Sequence, residues 1–347
     1  MQAPVERTSH QHDFDIILAK QLIRSQCKTL VSETAAMPIS RRSLLAGAGG
    51  LLVANGISTP LAMAQSAGGL SFLVVGDWGE PDNHAGALKV ANAMAKVAEQ
   101  ESISFVISTG DNFYERGVKD VADALWQDTF EKIYSAPSLQ CPWYVVLGNH
   151  DHTGSIQAQI DYSAQSERWR MPAVYYSVSK PVTPTATVDF FFLDTEPLRE
   201  ESWWERMTGL ERDPAKQLAW LESSLAKSTA KWKILVGHHP IFSGGEHGDT
   251  SIMVERVKPL MEQYGAQIYM SGHDHDLEAI RQGPVTYLVS GAGSRTRPIG
   301  RHSGDTFSAS QLGFMLMELG DDKATATFLD EDANILHKEE IAATGKA

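Results

Sequence analysis

Gly148-Asn149-His150-Asp151-His152 decides how this chain is read. The apolar and aromatic run Trp143 to Leu147 precedes it and predicts a buried strand. Gly148 lets the backbone turn where the strand ends, and an amide, a carboxylate and two imidazoles then crowd into the next four positions. The same grammar recurs four times. Leu70 to Val75 runs into Gly76-Asp77-Trp78-Gly79, and Phe105 to Ser108 into Gly110-Asp111-Asn112-Phe113-Tyr114. Trp232 to Val236 runs into Gly237-His238-His239-Pro240, and Ile268 to Ser271 into Gly272-His273-Asp274-His275. Each unit is an apolar strand, a glycine, and then a residue type that ligates metals.

Between these units the apolar residues return at helical spacing. Leu88, Ala91 and Met94 predict one helix face; Trp126, Phe130 and Ile133 a second; Leu218, Leu221 and Leu225 a third. Val254, Val257, Leu260, Met261 and Tyr264 predict a fourth. Further strands are expected at Val174 to Val178, Val188 to Leu193, Val285 to Ser290, Gly313 to Glu318 and Thr325 to Leu329. The last two form a hairpin about Gly320-Asp321-Asp322. So many strands and helices fit an α/β fold of two packed sheets with helices outside.

The chain has 347 residues, 42% hydrophobic and 21% charged, ample for a large core. Its formal charge is −13, while residues 1–64 hold six Lys/Arg against four Asp/Glu, so the acidity lies in the remainder. Such a body repels nucleic acid and anionic membranes, and a phosphate substrate needs a local positive site. Two cysteines, Cys27 and Cys141, are present. Loss of the N-terminal segment would leave Cys141 alone, without an intrachain disulfide, as a small apolar residue before a strand.

That segment has the features of an export leader. Ser40-Arg41-Arg42-Ser43-Leu44-Leu45 resembles a twin-arginine signal, with Leu44 where Phe is commoner. A weakly apolar run too short for a membrane span follows to about Pro60, and Ala62-Met63-Ala64 has the small-x-small pattern of a signal-peptidase site. The expected division is a leader over 1–64 and a catalytic domain over 65–347. Translation can begin at Met1 or Met37. The precursor's expected partners are the twin-arginine export machinery and signal peptidase, with a periplasmic or secreted product not inserted stably in a membrane.

Seven of the twelve histidines lie in or just after the loops: His150, His152, His238, His239, His247, His273 and His275. Ligand residues at the carboxyl ends of several strands converge where α/β sheets place their sites. Asp77, Asp111, Tyr114, Asn149, His238, His273 and His275 are too many ligands for one metal and suit two, with Asp111 shared.

Asp77-x-Gly79, Gly110-Asp111-x-x-Tyr114, Gly148-Asn149-His150, Gly237-His238 and Gly272-His273-x-His275 together resemble the ordered motifs of the purple acid phosphatases, in their small, tartrate-resistant type. The resemblance extends to Gln159-Ile160-x-Tyr162-Ser163, Arg168-Trp169, Glu246-His247-Gly248 and Ser290-Gly291-Ala292-Gly293, and spans Leu70 to near the C-terminus. It implies a calcineurin-like metallophosphoesterase fold, a four-layer αββα sandwich of two mixed β-sheets flanked by helices. It also implies one metal on Asp77, Asp111, Tyr114 and His275 and another on Asp111, Asn149, His238 and His273. Tyrosinate is a hard donor that favours Fe(III), and the second ion would be divalent iron, zinc or manganese. The summed charge of such a cluster stays positive and attracts phosphate. Where this type usually carries Tyr after the fourth-motif His, the chain has His239, so either His238 or His239 can ligate; His238, directly after Gly237, is preferred.

By the same resemblance His150 and His247 are the proton donors near the leaving group, with Glu246 orienting His247, while His152 makes a structural hydrogen bond. The expected activity is hydrolysis of small phosphate monoesters by hydroxide generated at the two metals, without a phosphoenzyme. The rivals are a phosphodiesterase or nucleotide phosphatase on the same site, and a non-catalytic metal- or phosphate-binding protein.

Overall fold

Strand β1, Leu70–Val75, is apolar at nearly every position because it lies in the middle of a sheet covered on both faces. In the computed structural model, which describes residues 69–80, 84–199 and 213–343, β1 pairs in parallel with β2 (Val106–Ser108) and antiparallel with the strand Gly313–Leu319. The expected leader, with its arginine pair, cleavage site and boundary at residue 64, lies outside the described residues.

Taking the rest in chain order, α1 is His84–Gln100, β3 Trp143–Val145, α2 Ile156–Tyr162, β4 Trp169–Arg170, β5 Tyr176–Pro181 and β6 Thr187–Phe192. Then come α3 Glu196–Arg199, α4 Pro214–Lys227, β7 Trp232–Val236, α5 Ser251–Arg256, α6 Lys258–Tyr264 and β8 Ile268–Ser271. The chain continues with β9 Leu277–Gln282, β10 Val285–Ser290, β11 Asp305–Ala309, β12 Gly313–Leu319, β13 Lys323–Asp330 and β14 Ile335–Ala342. One seven-stranded sheet has the order β14-β13-β12-β1-β2-β3-β4, the other β11-β9-β10-β8-β7-β6-β5. Both are mixed: β1 to β4 and β6-β7-β8-β10 are parallel, and the remaining pairs antiparallel. This is the expected α/β architecture.

Side-chain alternation explains why the second sheet is covered on both faces. Phe190 and Phe192 point at the first sheet, where Phe190 meets Phe72 at 5.4 Å and Phe105 at 5.7 Å between ring centroids. Phe191 and Leu193 point the other way, into an apolar cluster with Leu221, Leu225, Met253, Val257 and Met261 from the helices.

Several local expectations shift. In α1 the buried face is Ala87, Val90, Ala91, Met94 and Val97, and Leu88 is 44% exposed. Small residues let the backbone approach the sheet, so the alanines outweigh the single leucine. Trp126–Glu131 is a π-helical turn that still buries Trp126 and Phe130. The helix expected around Val257 is two helices, α5 and α6, because Pro259 lacks the N–H that would bond the carbonyl four residues back. The strand expected at Val174 begins at Tyr176. Strands β4, β9, β11 and β14 escaped the sequence reading: two residues are too short for a period, and Glu278, Arg281, Lys338, Glu339 and Glu340 break the apolar runs. Cys141 is free and packs partly buried against the core, as expected.

Candidate metal centre

The five predicted loops follow the carboxyl ends of β1, β2, β3, β7 and β8, and they meet. On one side Tyr114 Oη lies 3.0 Å from Asp77 Oδ1 and 3.2 Å from His275 Nε2. His275 Nε2 is 3.4 Å from Asp77 Oδ1. On the other side His238 Nε2 lies 3.1 Å from Asn149 Oδ1 and 3.1 Å from His273 Nδ1. Asp111 stands between the groups, with Oδ2 3.5 Å from His238 Nε2, and ligand atoms of Asp77, Asp111 and His238 lie within 4.8 Å of one another. All seven predicted ligand side chains are thus gathered in two adjoining sets.

The backbone around them is strained in a consistent way. Asp77, Asp111 and His273 have φ of 57°, 48° and 70°, the left-handed region that non-glycine residues rarely occupy. Glycine is required beside them because a Cβ on Gly148 would collide with Asp111 Oδ1 and one on Gly272 with Asp77 Oδ2. Asp151, from the decisive stretch, supports the arrangement from behind. Its carboxylate accepts from the backbone N–H groups of Gly148 and Asn112 and from Asn112 Nδ2 and Gln159 Nε2.

Hydrogen-bond accounting separates His238 from His239. A carbonyl oxygen only accepts, so His238 Nδ1, 2.9 Å from Thr109 O, carries a proton there, and Nε2 is the nitrogen turned toward Asp111 and Asn149. Thr195 Oγ1 already accepts the backbone N–H groups of His238 and His239, so its own proton goes to His239 Nδ1 at 2.9 Å. His239 therefore carries its proton on Nε2, which faces Glu196 Oε2 at 3.5 Å. His238 thus turns Nε2 to the ligand set, whereas His239 Nε2 is buried without a hydrogen-bond partner among the described residues. His152 Nε2 lies 2.7 Å from Asp194 Oδ1, the structural bond expected of it.

The remaining pair differ from each other. His150 donates Nδ1–H to Glu115 O at 2.8 Å, leaving its Nε2 without that proton. His247 Nε2 is 2.5 Å from Arg297 Nη1. Arginine only donates, so His247 Nε2 is an acceptor and does not present the proton expected of it. Burial, partly opposed by Asp274 and then reinforced by Arg297, also keeps its pKa below the usual imidazole value. The sequence reading missed both Arg297 and Arg295, whose Nε donates to His275 Nδ1 at 3.1 Å and whose Nη1 pairs with Glu80 Oε2 at 2.8 Å. Two arginines after Ser290-Gly291-Ala292-Gly293 in so acidic a chain were the available signal.

The electrostatics suit cations. Burial first, and the charge of Asp111 after it, push Asp77 up to about 8 against the pull of His238. Burial raises the Tyr114 phenol well above its ordinary value, with Asp111 and Asp77 adding to it. Burial and neighbouring positive groups hold His273 far below the usual range, and burial with Arg297 and Arg295 holds His275 near 3, so both rings are neutral, with one lone pair each. His238 moves the other way: Asp111 and Asp77 outweigh its burial. Two desolvated carboxylates among histidine lone pairs are costly alone and are stabilised by bound metal ions. The donor set, oxygen-rich at Tyr114 and nitrogen-rich at His238, fits two ions of different hardness.

Comparison with known proteins agrees with this geometry. Residues 70–277 match the family model described as calcineurin-like phosphoesterase. Purple acid phosphatase 7 of Arabidopsis thaliana is 36% identical over 80% of this chain and 88% of its own length. Human tartrate-resistant acid phosphatase type 5 is 34% identical over 84% of this chain and 96% of its own. Among solved structures, GAP50, described as the anchor in the inner membrane complex of Plasmodium, superimposes with a TM-score of 0.73 at 26% identity, covering 80% of this chain and 90% of that one. Yellow lupin purple acid phosphatase PPD1 shares the fold with a TM-score of 0.59 at 17% identity, covering 80% of this chain and 54% of that one. The motifs, the two ligand sets about Asp111 and these likenesses make the chain a member of the calcineurin-like phosphoesterases, in the branch of the purple and tartrate-resistant acid phosphatases.

Proposed function

We propose that this protein is an exported acid phosphatase that hydrolyses phosphate monoesters at an Fe(III)–M(II) centre. The observation that supports it most is the pair of ligand sets joined at Asp111, one containing a phenol oxygen and the other two imidazoles and an amide. Asp77, Asp111, Tyr114 and His275 would hold the trivalent ion, and Asp111, Asn149, His238 and His273 a divalent iron, zinc or manganese. When bound, the ions supply Lewis acidity to the phosphoryl oxygens and lower the pKa of water.

The protein's own groups do the rest. Thr109 O accepts the Nδ1–H of His238, so this ligand ring enters the reaction already oriented. His150 is fixed through Nδ1, and protonation at Nε2 makes it the donor to the departing oxygen. His247 acts on that side through Arg297. Purified metallated protein is expected to hydrolyse phenyl phosphate well above bis(4-nitrophenyl) phosphate, and to lose activity on chelation and regain it with iron plus a divalent ion. Faster turnover of the diester would make it a phosphodiesterase, and tight phosphate binding without turnover would make it a binding protein.

Export rests on Arg41-Arg42, the apolar run after them and Ala62-Met63-Ala64. Replacing Arg41 and Arg42 by Lys is expected to leave the precursor in the cytoplasm. Normal processing of that variant in fractionated cells would refute the twin-arginine route.

A further inference from the structure

Two guanidinium groups enter the site from the segment between β10 and β11, and they are not equivalent. Arg295 is neutralised: it pairs with Glu80, whose side chain is only 5% exposed, and lies 5.1 Å from the centre of the Tyr114 ring. Its remaining donor contact is His275 Nδ1. Arg297 is placed differently. Its Nη1 meets His247 Nε2, an acceptor without charge, and its nearest carboxylate is Glu246 Oε2 at 3.5 Å. The Glu246 side chain is 61% exposed, so water screens most of that attraction. Arg297 therefore keeps most of its charge at the rim of the site.

Its position is fixed from several directions. The Arg297 backbone N–H donates to His275 O at 3.0 Å, and Ser310 Oγ donates to its carbonyl. His247 is tethered by its own N–H to Asp274 Oδ1 at 2.9 Å and stacks on the His273 ring at 4.2 Å. His273 Nδ1 in turn faces His238 Nε2. The guanidinium thus stands one imidazole beyond the nitrogen-rich ligand set.

We propose that Arg297 is a specificity residue that binds a second anionic group of the substrate beside the nitrogen-rich ligand set, so that the site favours phosphate esters carrying another phosphate or carboxylate. This rests on the phosphomonoesterase reading above. The physical reason is economy of charge. The protein carries −13 overall, and a doubly anionic ester is repelled more than a simple one unless a fixed cation meets its second group. A guanidinium has five donors in a planar fork that matches the oxygens of phosphate or carboxylate, and its contacts to His247 and Glu246 leave others to offer. His247 is then a positioning residue, holding the fork through Nε2.

The test compares propyl phosphate with the bisphosphate of propane-1,3-diol, which share an alkoxide leaving group and differ in the distal charge. In Arg297→Met, kcat/KM for the bisphosphate is expected to fall about tenfold or more beyond any fall on propyl phosphate, mostly in KM. Arg297→Lys should recover part of that difference, and Glu246→Gln, which removes the competing carboxylate, should lower KM for the bisphosphate. Inhibition constants of propylphosphonate and propane-1,3-bisphosphonate should show the same ordering without turnover. Equal losses on both esters, or no change in the ratio of inhibition constants, would overturn the assignment while leaving the phosphatase intact. A metallated wild type that cleaves neither ester would overturn the phosphatase reading itself and this inference with it.

Discussion

Asp111→Asn is expected to lower kcat/KM by roughly three orders of magnitude or more, since a shared ligand contributes several kcal/mol and each 1.4 kcal/mol is about tenfold. Asp111 is nearly fully buried between the two ligand sets, and its Oδ2 faces His238 Nε2 at 3.5 Å. Asparagine keeps an oxygen for the His150 N–H, which now bonds Asp111 Oδ1 at 3.0 Å, so the loop retains its anchor. What is lost is the negative charge available to two cations. Metal analysis should find fewer than two ions per chain. A control with the opposite sign separates ligation from folding. Without metals, Asp111 and Asp77 are two buried carboxylates that repel, so the metal-free variant should melt no lower than the metal-free wild type. A variant that keeps two ions and works within tenfold of wild type would exclude Asp111 as the bridge.

Tyr114→Phe is expected to abolish the visible colour of the iron-loaded protein. The Tyr114 oxygen sits 3.0 Å from Asp77 Oδ1 and 3.2 Å from His275 Nε2, inside the oxygen-rich set. Burial holds this phenol protonated without a cation, so its ionisation requires an ion of high charge, and tyrosinate bound to Fe(III) gives a charge-transfer band. Hydrolysis should fall less than in Asp111→Asn, because Tyr114 donates no proton to the substrate. The pH profile carries the same assignment. A trivalent ion acidifies water more than a divalent one, which lets the nucleophile persist in mildly acidic solution where histidine can donate, so the wild-type optimum should be acidic. A spectrum and a pH–rate profile on both proteins check this. A colourless wild type with full iron and an alkaline optimum would remove Fe(III)–tyrosinate and leave a generic two-metal site.

Gly148-Asn149-His150 and its four counterparts could be read without the structure, because strand, glycine and ligand are written in residue type and period within a few positions. The collisions a Cβ would cause with Asp111 at Gly148 and with Asp77 at Gly272 show why glycine stands there. The two-sheet architecture followed from the same periodicity. Strands such as β14, where charged residues interrupt the apolar pattern, did not. The division of labour between His238 and His239 was beyond any local reading. It is decided by Thr109 O, 129 positions from His238, and by Thr195 Oγ1, 44 positions from His239, since a tautomer depends on whichever acceptor or donor the fold brings to the other nitrogen. The same holds for His247. Sequence places a histidine after Glu246, but Arg297, 50 positions on, turns it into an acceptor, because only tertiary packing sets a permanent donor against its ring.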